Sequence, residues 1–127
     1  MNYEYRVLVT APPILPKIYN YKNLFDKKSV EIVVPPYEVV ECLYENELIE
    51  LLKNIDGILC GDDKITKNVL KQAKRLKVIS KWGTGIDSID KDAAERLGIK
   101  VLRVKDVFSD PVSDTVSAYI LLFSTNI

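Results

Sequence analysis

Short apolar, β-branched runs alternate along the chain with stretches whose apolar residues recur every three or four positions. Arg6-Val7-Leu8-Val9-Thr10 predicts a buried strand, stopped by Pro12 and Pro13. Ile18, Tyr21 and Phe25 then share one face of a helical stripe. Val30 to Val34 predicts a second strand, ended by Pro35-Pro36, which cannot continue a ladder. Leu48, Ile49, Leu51, Leu52 and Ile55 form an amphipathic face between charged neighbours. Ile58-Leu59-Cys60, between Gly57 and Gly61, predicts a third strand, and Thr66 is placed to cap a helix carrying Val69, Leu70, Ala73 and Leu76 inward. Lys77 to Ser80 gives a fourth strand, followed by the loop Lys81-Trp82-Gly83-Thr84-Gly85-Ile86-Asp87. Asp90 caps a helix with Ala93, Ala94 and Leu97 inward, Gly98 suits a left-handed C-terminal cap, and Lys100 to Val104 makes a fifth strand.

Strands alternating with helices predict a parallel sheet covered on both faces. Right-handed crossovers then favour a doubly wound five-stranded α/β sandwich of order 2-1-3-4-5. The last segment fits this plan less simply. Asp110-Pro111 starts a helix that becomes apolar nearly all round through Tyr119, Ile120, Leu121, Leu122 and Phe123. Such a helix wants neighbours on several sides. It is either a buried sixth element or a connector to a partner domain.

With 127 residues, the chain holds one ordinary domain. Eighteen basic residues balance eighteen acidic ones, so no net field favours nucleic acid or an anionic membrane surface. The longest apolar run, Ala118 to Phe123, is far short of the ~20 residues of a membrane-spanning helix. The start, Met1-Asn2-Tyr3-Glu4-Tyr5, lacks the form of a signal peptide. Cys42 and Cys60 make neither a disulfide framework nor a metal site, and both are expected as buried thiols in a reducing cytoplasm. There is no histidine, which excludes any imidazole acid, base or metal ligand from these residues.

Open parallel sheets bind ligands beyond the carboxyl ends of their strands. Gly83-Thr84-Gly85 falls at such an end, where side-chain-free backbone lets amides approach a carboxylate or phosphate, or simply makes a tight turn. Gly83-x-Gly85-x-x-Ser88, with Asp106 after the next strand, imitates a dinucleotide fingerprint. The third position is Ser, however, and Asp87 and Asp90 flank the helix start where a pyrophosphate would lie. A phosphorylated receiver domain needs acids after the first strand, and a flavin site needs a Ser/Thr/Gly loop there; Thr10-Ala11-Pro12-Pro13 supplies neither. Asp62-Asp63 reads as a solvated turn or helix approach rather than a metal site.

Three stretches together resemble the D-isomer-specific 2-hydroxyacid dehydrogenases, in particular their D-3-phosphoglycerate dehydrogenase-like members. They are Gly61-Asp62-Asp63-Lys64-Ile65-Thr66, the run from Leu76 through Trp82-Gly83-Thr84-Gly85 to Asp90, and Ala93-Ala94 leading to Gly98-Ile99-Lys100-Val101. The resemblance covers nearly the whole chain. It implies a flavodoxin-like substrate-binding (lid) domain over residues 1–108. Residues 109–127 would then begin the helix that crosses to a Rossmann cofactor domain absent from this chain. Val112-Ser113-Asp114 stands where the family usually has Val-Ala-Glu.

Carried over by position, Trp82, Gly83, Thr84 and Gly85 match the segment whose amides hold the substrate carboxylate. Cys60, Gly61 and Asp62, with Asp63, match the turn lining the substrate side of the cleft. Many members have Arg and Ser where this chain has Cys60 and Gly61, which weakens the case for a phosphorylated substrate. Arg103-Val104-Lys105 replaces a usual Asn-x-Pro-Gly. The family's catalytic Arg, Glu and His, and its NAD or NADP loop, would lie beyond residue 127. The implied whole is a homodimeric enzyme moving hydride between nicotinamide and C2 of a small 2-hydroxy or 2-oxo acid. This chain alone is expected to be catalytically incomplete and to bind no cofactor. The alternative is a freestanding module that captures small carboxylates without catalysis.

Overall fold

The computed structural model of the chain describes residues 2–82 and 87–103. Five strands, β1 (Tyr5–Val9), β2 (Val30–Val33), β3 (Gly57–Cys60), β4 (Val78–Lys81) and β5 (Lys100–Arg103), form one parallel sheet in the order 2-1-3-4-5. The alternation of apolar runs and helical stripes thus yields the expected doubly wound architecture. The helices are α1 (Lys22–Lys27), α2 (Glu45–Leu51), α3 (Lys67–Gln72) and α4 (Lys91–Arg96). The last helix expected from Asp110 onward lies outside the described residues.

Strand alternation sends successive side chains to opposite faces. Leu8, Ile58, Cys60 and Ile79 join Leu48, Leu52, Val69, Leu70, Ala93 and Ala94 in a core on one face. Val7, Val9, Leu59 and Val78 join Ile14, Ile18 and Phe25 on the other. Pro16 sits in the first turn of a 3-10 segment, Leu15–Tyr21, that leads directly into α1. The stripe of Ile18, Tyr21 and Phe25 is therefore split between two helix types, with Ile18 and Phe25 buried and Tyr21 half-buried.

Local caps set the other helices. The Thr66 hydroxyl accepts the Val69 N–H at 3.3 Å, and the Asp90 carboxylate accepts that of Ala93 at 3.0 Å, as expected of both residues. The Tyr44 N–H donates to Glu47 Oε1 at 3.1 Å, a cap on α2. Gly98 takes φ +75° after α4, the left-handed stop its position suggests.

Two expectations fail locally. Leu97, expected inward with Ala93 and Ala94, is half exposed because α4 has already ended and the chain is turning at Gly98. Cys42 is only half-buried, since it lies on a loop before α2, whereas Cys60 is fully buried in β3. Among the described residues no helix is long and apolar enough to cross a membrane.

Candidate functional site

The carboxyl ends of β3 and β4 carry the expected substrate-side residues. Cys60 is the last residue of β3, and Gly61 and Asp62 form the turn after it. Trp82 follows β4 directly, and its N–H donates to the Cys60 carbonyl at 2.8 Å, which joins the two exits edge to edge. The structure therefore brings Cys60, Gly61, Asp62 and Trp82 together. Gly83, Thr84 and Gly85 lie outside the described residues.

The Asp62-Asp63 pair divides its work. Asp62 is exposed, whereas Asp63 is fully buried, contrary to the solvated turn expected for both. The cause is long-range. The Asp63 carboxylate accepts hydrogen bonds from the Thr10 hydroxyl at 2.5 Å, the Leu43 N–H at 2.6 Å and the Gly61 N–H at 3.3 Å. Burial raises the Asp63 pKa above the usual aspartate value and outweighs these three donors, each of which lowers it. The carboxylate ties the end of β1 and the loop before α2 to the β3 turn. A Cβ added at Gly61 would lie 3.2 Å from Pro12 Cδ, so the same turn sits tightly against the β1 exit.

Lys81 closes β4 on the face that α2, α3 and α4 cover, and it is buried. Its ammonium lies 3.0 Å from Asp62 Oδ1 and donates to the Trp82 carbonyl at 3.1 Å. Beyond it, Asp62, Lys64, Asp87 and Ser88 line a cleft of about 310 Å³. A parallel bridge between Ile65 and Ile89 joins the segments that carry Lys64 and Ser88, with the Ile65 N–H donating to the Ser88 carbonyl and the Asp90 N–H to that of Ile65. Sequence reasoning missed Lys81 and Thr10 as site-shaping residues, and it put Asp63 in the turn without its burial. The available signal was a lysine and a paired acid at the ends of strands otherwise apolar.

Burial in β3 pushes the Cys60 thiol far above its ordinary pKa, with Asp63 adding to the effect, so it is no nucleophile. A second hollow of about 340 Å³ lies beyond β1 and β2, between Pro12, Leu15, Tyr19, Val34 and Tyr37. It is mainly apolar, and the one charged side chain lining it among the described residues, Glu38, is anionic. It does not suit a carboxylate. Among the described residues no three His, Cys, Asp or Glu side chains converge as metal ligands.

A dinucleotide does not fit the start of α4. The Asp90 carboxylate already caps its first turn, and Asp87 and Asp92 flank that end. A pyrophosphate there would meet carboxylates instead of free amides.

The sequence profile of the D-isomer specific 2-hydroxyacid dehydrogenase catalytic domain matches residues 14–126. The chain is 35% identical over 91 residues to the D-3-phosphoglycerate dehydrogenase of Methanocaldococcus jannaschii, covering 71% of this chain and 17% of that protein. It is 27% identical to the glyoxylate/hydroxypyruvate reductase B of Yersinia enterocolitica, covering 84% and 34% respectively. The chain thus spans 17% and 34% of the length of these two relatives. The NAD+-bound 3-phosphoglycerate dehydrogenase of Entamoeba histolytica shares the fold, with a TM-score of 0.67 at 24% identity over 79% of this chain and 32% of that one. On the profile match across most of its length, this chain belongs to the D-isomer-specific 2-hydroxyacid dehydrogenase family.

Proposed function

We propose that this chain is the N-terminal, substrate-binding part of an NAD(P)-dependent oxidoreductase acting on the CH–OH group of a small D-2-hydroxy acid. The observation that carries the reading is the joined exit of β3 and β4. The Trp82 N–H is held on the Cys60 carbonyl at 2.8 Å, and Gly83-Thr84-Gly85 follows at once in sequence. A glycine-flanked turn at the carboxyl edge of a parallel sheet suits capture of a substrate carboxylate by backbone amides. Residues 1–108 form the flavodoxin-like lid in this reading, and residues 109–127 begin the crossing to a Rossmann cofactor domain.

With no histidine in the chain, the acid/base group and the cofactor loop belong to polypeptide outside these residues. The chain alone is catalytically incomplete, and the full-length enzyme is a cytoplasmic homodimer. The absence of histidine equally favours a second reading, a freestanding small-carboxylate-binding module. A downstream Gly-x-Gly-x-x-Gly and a later His in the coding sequence would decide for the enzyme.

Titration of the 15N-labelled chain with glycolate tests the site. Shifts should centre on the turn after β4 and vanish in Gly83→Val or Gly85→Val, because a side chain there blocks amide approach. Glycolate shifts that survive both changes refute the assignment. Micromolar binding of NADH to the chain alone would refute the division of labour between domains.

A further inference from the structure

Lys81 and Asp62 are an unequal pair. The lysine side chain is 6% exposed and the aspartate 80%. An ammonium withdrawn from water needs an anion and further acceptors. Asp62 Oδ1 at 3.0 Å supplies the anion and the Trp82 carbonyl at 3.1 Å an acceptor. Lys81 gives up its solvation through the fold, whereas Asp62 reaches it from the rim of the cleft and keeps most of its own. Asp62 is thus the exchangeable partner, standing where an incoming anion would stand.

The rest of the cleft sharpens the point. Among the described residues its lining places Asp62 and Asp87 against one cation outside that pair, Lys64. A phosphate monoester carries about −1.5 to −2 at neutral pH. Entering here, it would meet two carboxylates, with the buried ammonium already neutralised. Ser88, by contrast, presents a buried hydroxyl oxygen with no hydrogen-bond partner among the described residues. That oxygen suits an uncharged hydroxyl.

Building on the carboxylate-binding reading above, we propose that Asp62 is a specificity-determining residue. By occupying Lys81 as a built-in anion, it makes the cleft accept short unphosphorylated hydroxy acids and reject their phosphate esters. The device selects by repulsion, and neutralising one side chain should remove it.

The test titrates the 127-residue chain with D-glycerate and with 3-phospho-D-glycerate, followed by amide shifts. The native chain should bind D-glycerate about tenfold or more tightly than its phosphate ester, the scale of like-charge exclusion at close range. Asp62→Ala and Asp62→Asn, both at an exposed side chain, should abolish or reverse that preference by releasing Lys81. Adding Lys81→Met to Asp62→Ala should remove the gain in phosphate binding. The proposal is overturned if the native chain takes both acids equally, or if the Asp62 variants leave the ratio unchanged. Glycolate shifts that still depend on Gly85 in that case would leave the carboxylate reading standing. Shifts from neither acid would overturn both.

Discussion

Thr10 and Asp63 lie fifty-three positions apart and meet in a buried hydrogen bond of 2.5 Å at the carboxyl edge of the sheet. The same carboxylate receives the N–H of Leu43, twenty positions away. Three chain segments that share no local pattern are thereby fixed around the turn that carries Gly61 and Asp62. That turn inherits its shape from a fully buried acid.

Asp63→Ala should cost about 2–3 kcal/mol in urea unfolding at neutral pH, because buried donors would lose their acceptor. The pH dependence has a definite sign. Burial raises the folded-state pKa above the unfolded one, so the folded chain holds the proton more tightly. The stability linked to this group is fully present below the usual aspartate range and is lost as pH rises through the raised folded value. Unfolding curves of the native chain and Asp63→Asn at several pH values check this. The native advantage over the variant should shrink as pH increases, and a native advantage that grows instead would show the opposite shift.

The sheet was legible because each strand has an apolar, mostly β-branched centre between Pro, Gly or charged residues, and five such runs leave few right-handed arrangements. Thr66, Asp90 and Gly98 were legible for a similar reason, since caps are local. What escaped was non-local. Nothing near Asp63 announces Thr10 or Leu43, and only the assembled sheet brings them within reach. Lys81 read as a loop residue because a lysine rarely ends a buried strand; its pairing with Asp62 makes that end tenable. Leu97 had the right spacing for the core, but α4 stops one residue too early for spacing to decide. Cys60, Gly61, Asp62 and Trp82 do stand at adjacent strand ends, while the Gly83–Gly85 turn falls outside the described residues.

Arg75 should prove more important than its half-exposed side chain suggests. Its guanidinium donates to both oxygens of the buried Asp56 carboxylate, at 3.1 and 3.2 Å from one nitrogen. The Asp56 carboxylate also accepts the backbone N–H of Arg6 at 2.8 Å. Asp56 also joins the amino-terminal edges of β1, β3 and β4 through its own backbone, taking the Lys77 N–H and giving its N–H to Arg6. Arg75→Ala should cost about 1–3 kcal/mol, measured by chemical denaturation, because a buried charge is left underpaired. Arg75→Lys should fall between, since one ammonium cannot reproduce the two-pronged contact.

The two thiols should differ sharply in reactivity. Cys60 is fully buried and its ionisation is suppressed, whereas Cys42 is half-buried on a loop. Brief treatment of the native chain with iodoacetamide at pH 8, read by peptide mass spectrometry, should modify Cys42 and spare Cys60. Equal labelling would mean that β3 opens on the timescale of the reaction. Both thiols should react fully in denaturant.

Gly98 isolates a purely backbone effect. It sits at φ +75°, and a Cβ built on it would meet nothing within 4 Å among the described residues beyond its own chain neighbours. Gly98→Ala therefore creates no clash, and its cost is the left-handed conformation itself, about 1 kcal/mol. Gly98→Asn should cost less, since asparagine tolerates that region better. The carbonyls at the end of α4 depend on the turn, because the Gly98 N–H donates to Glu95 and the Ile99 N–H to Ala94. A substitution that opened the turn would release these bonds and displace β5, where Lys100 gives its N–H to Lys77. The ordering native, then Asn, then Ala in thermal unfolding, with glycolate binding unchanged in all three, would assign the whole effect to the helix stop. A loss several times larger for Ala would show that the turn had opened and taken β5 with it.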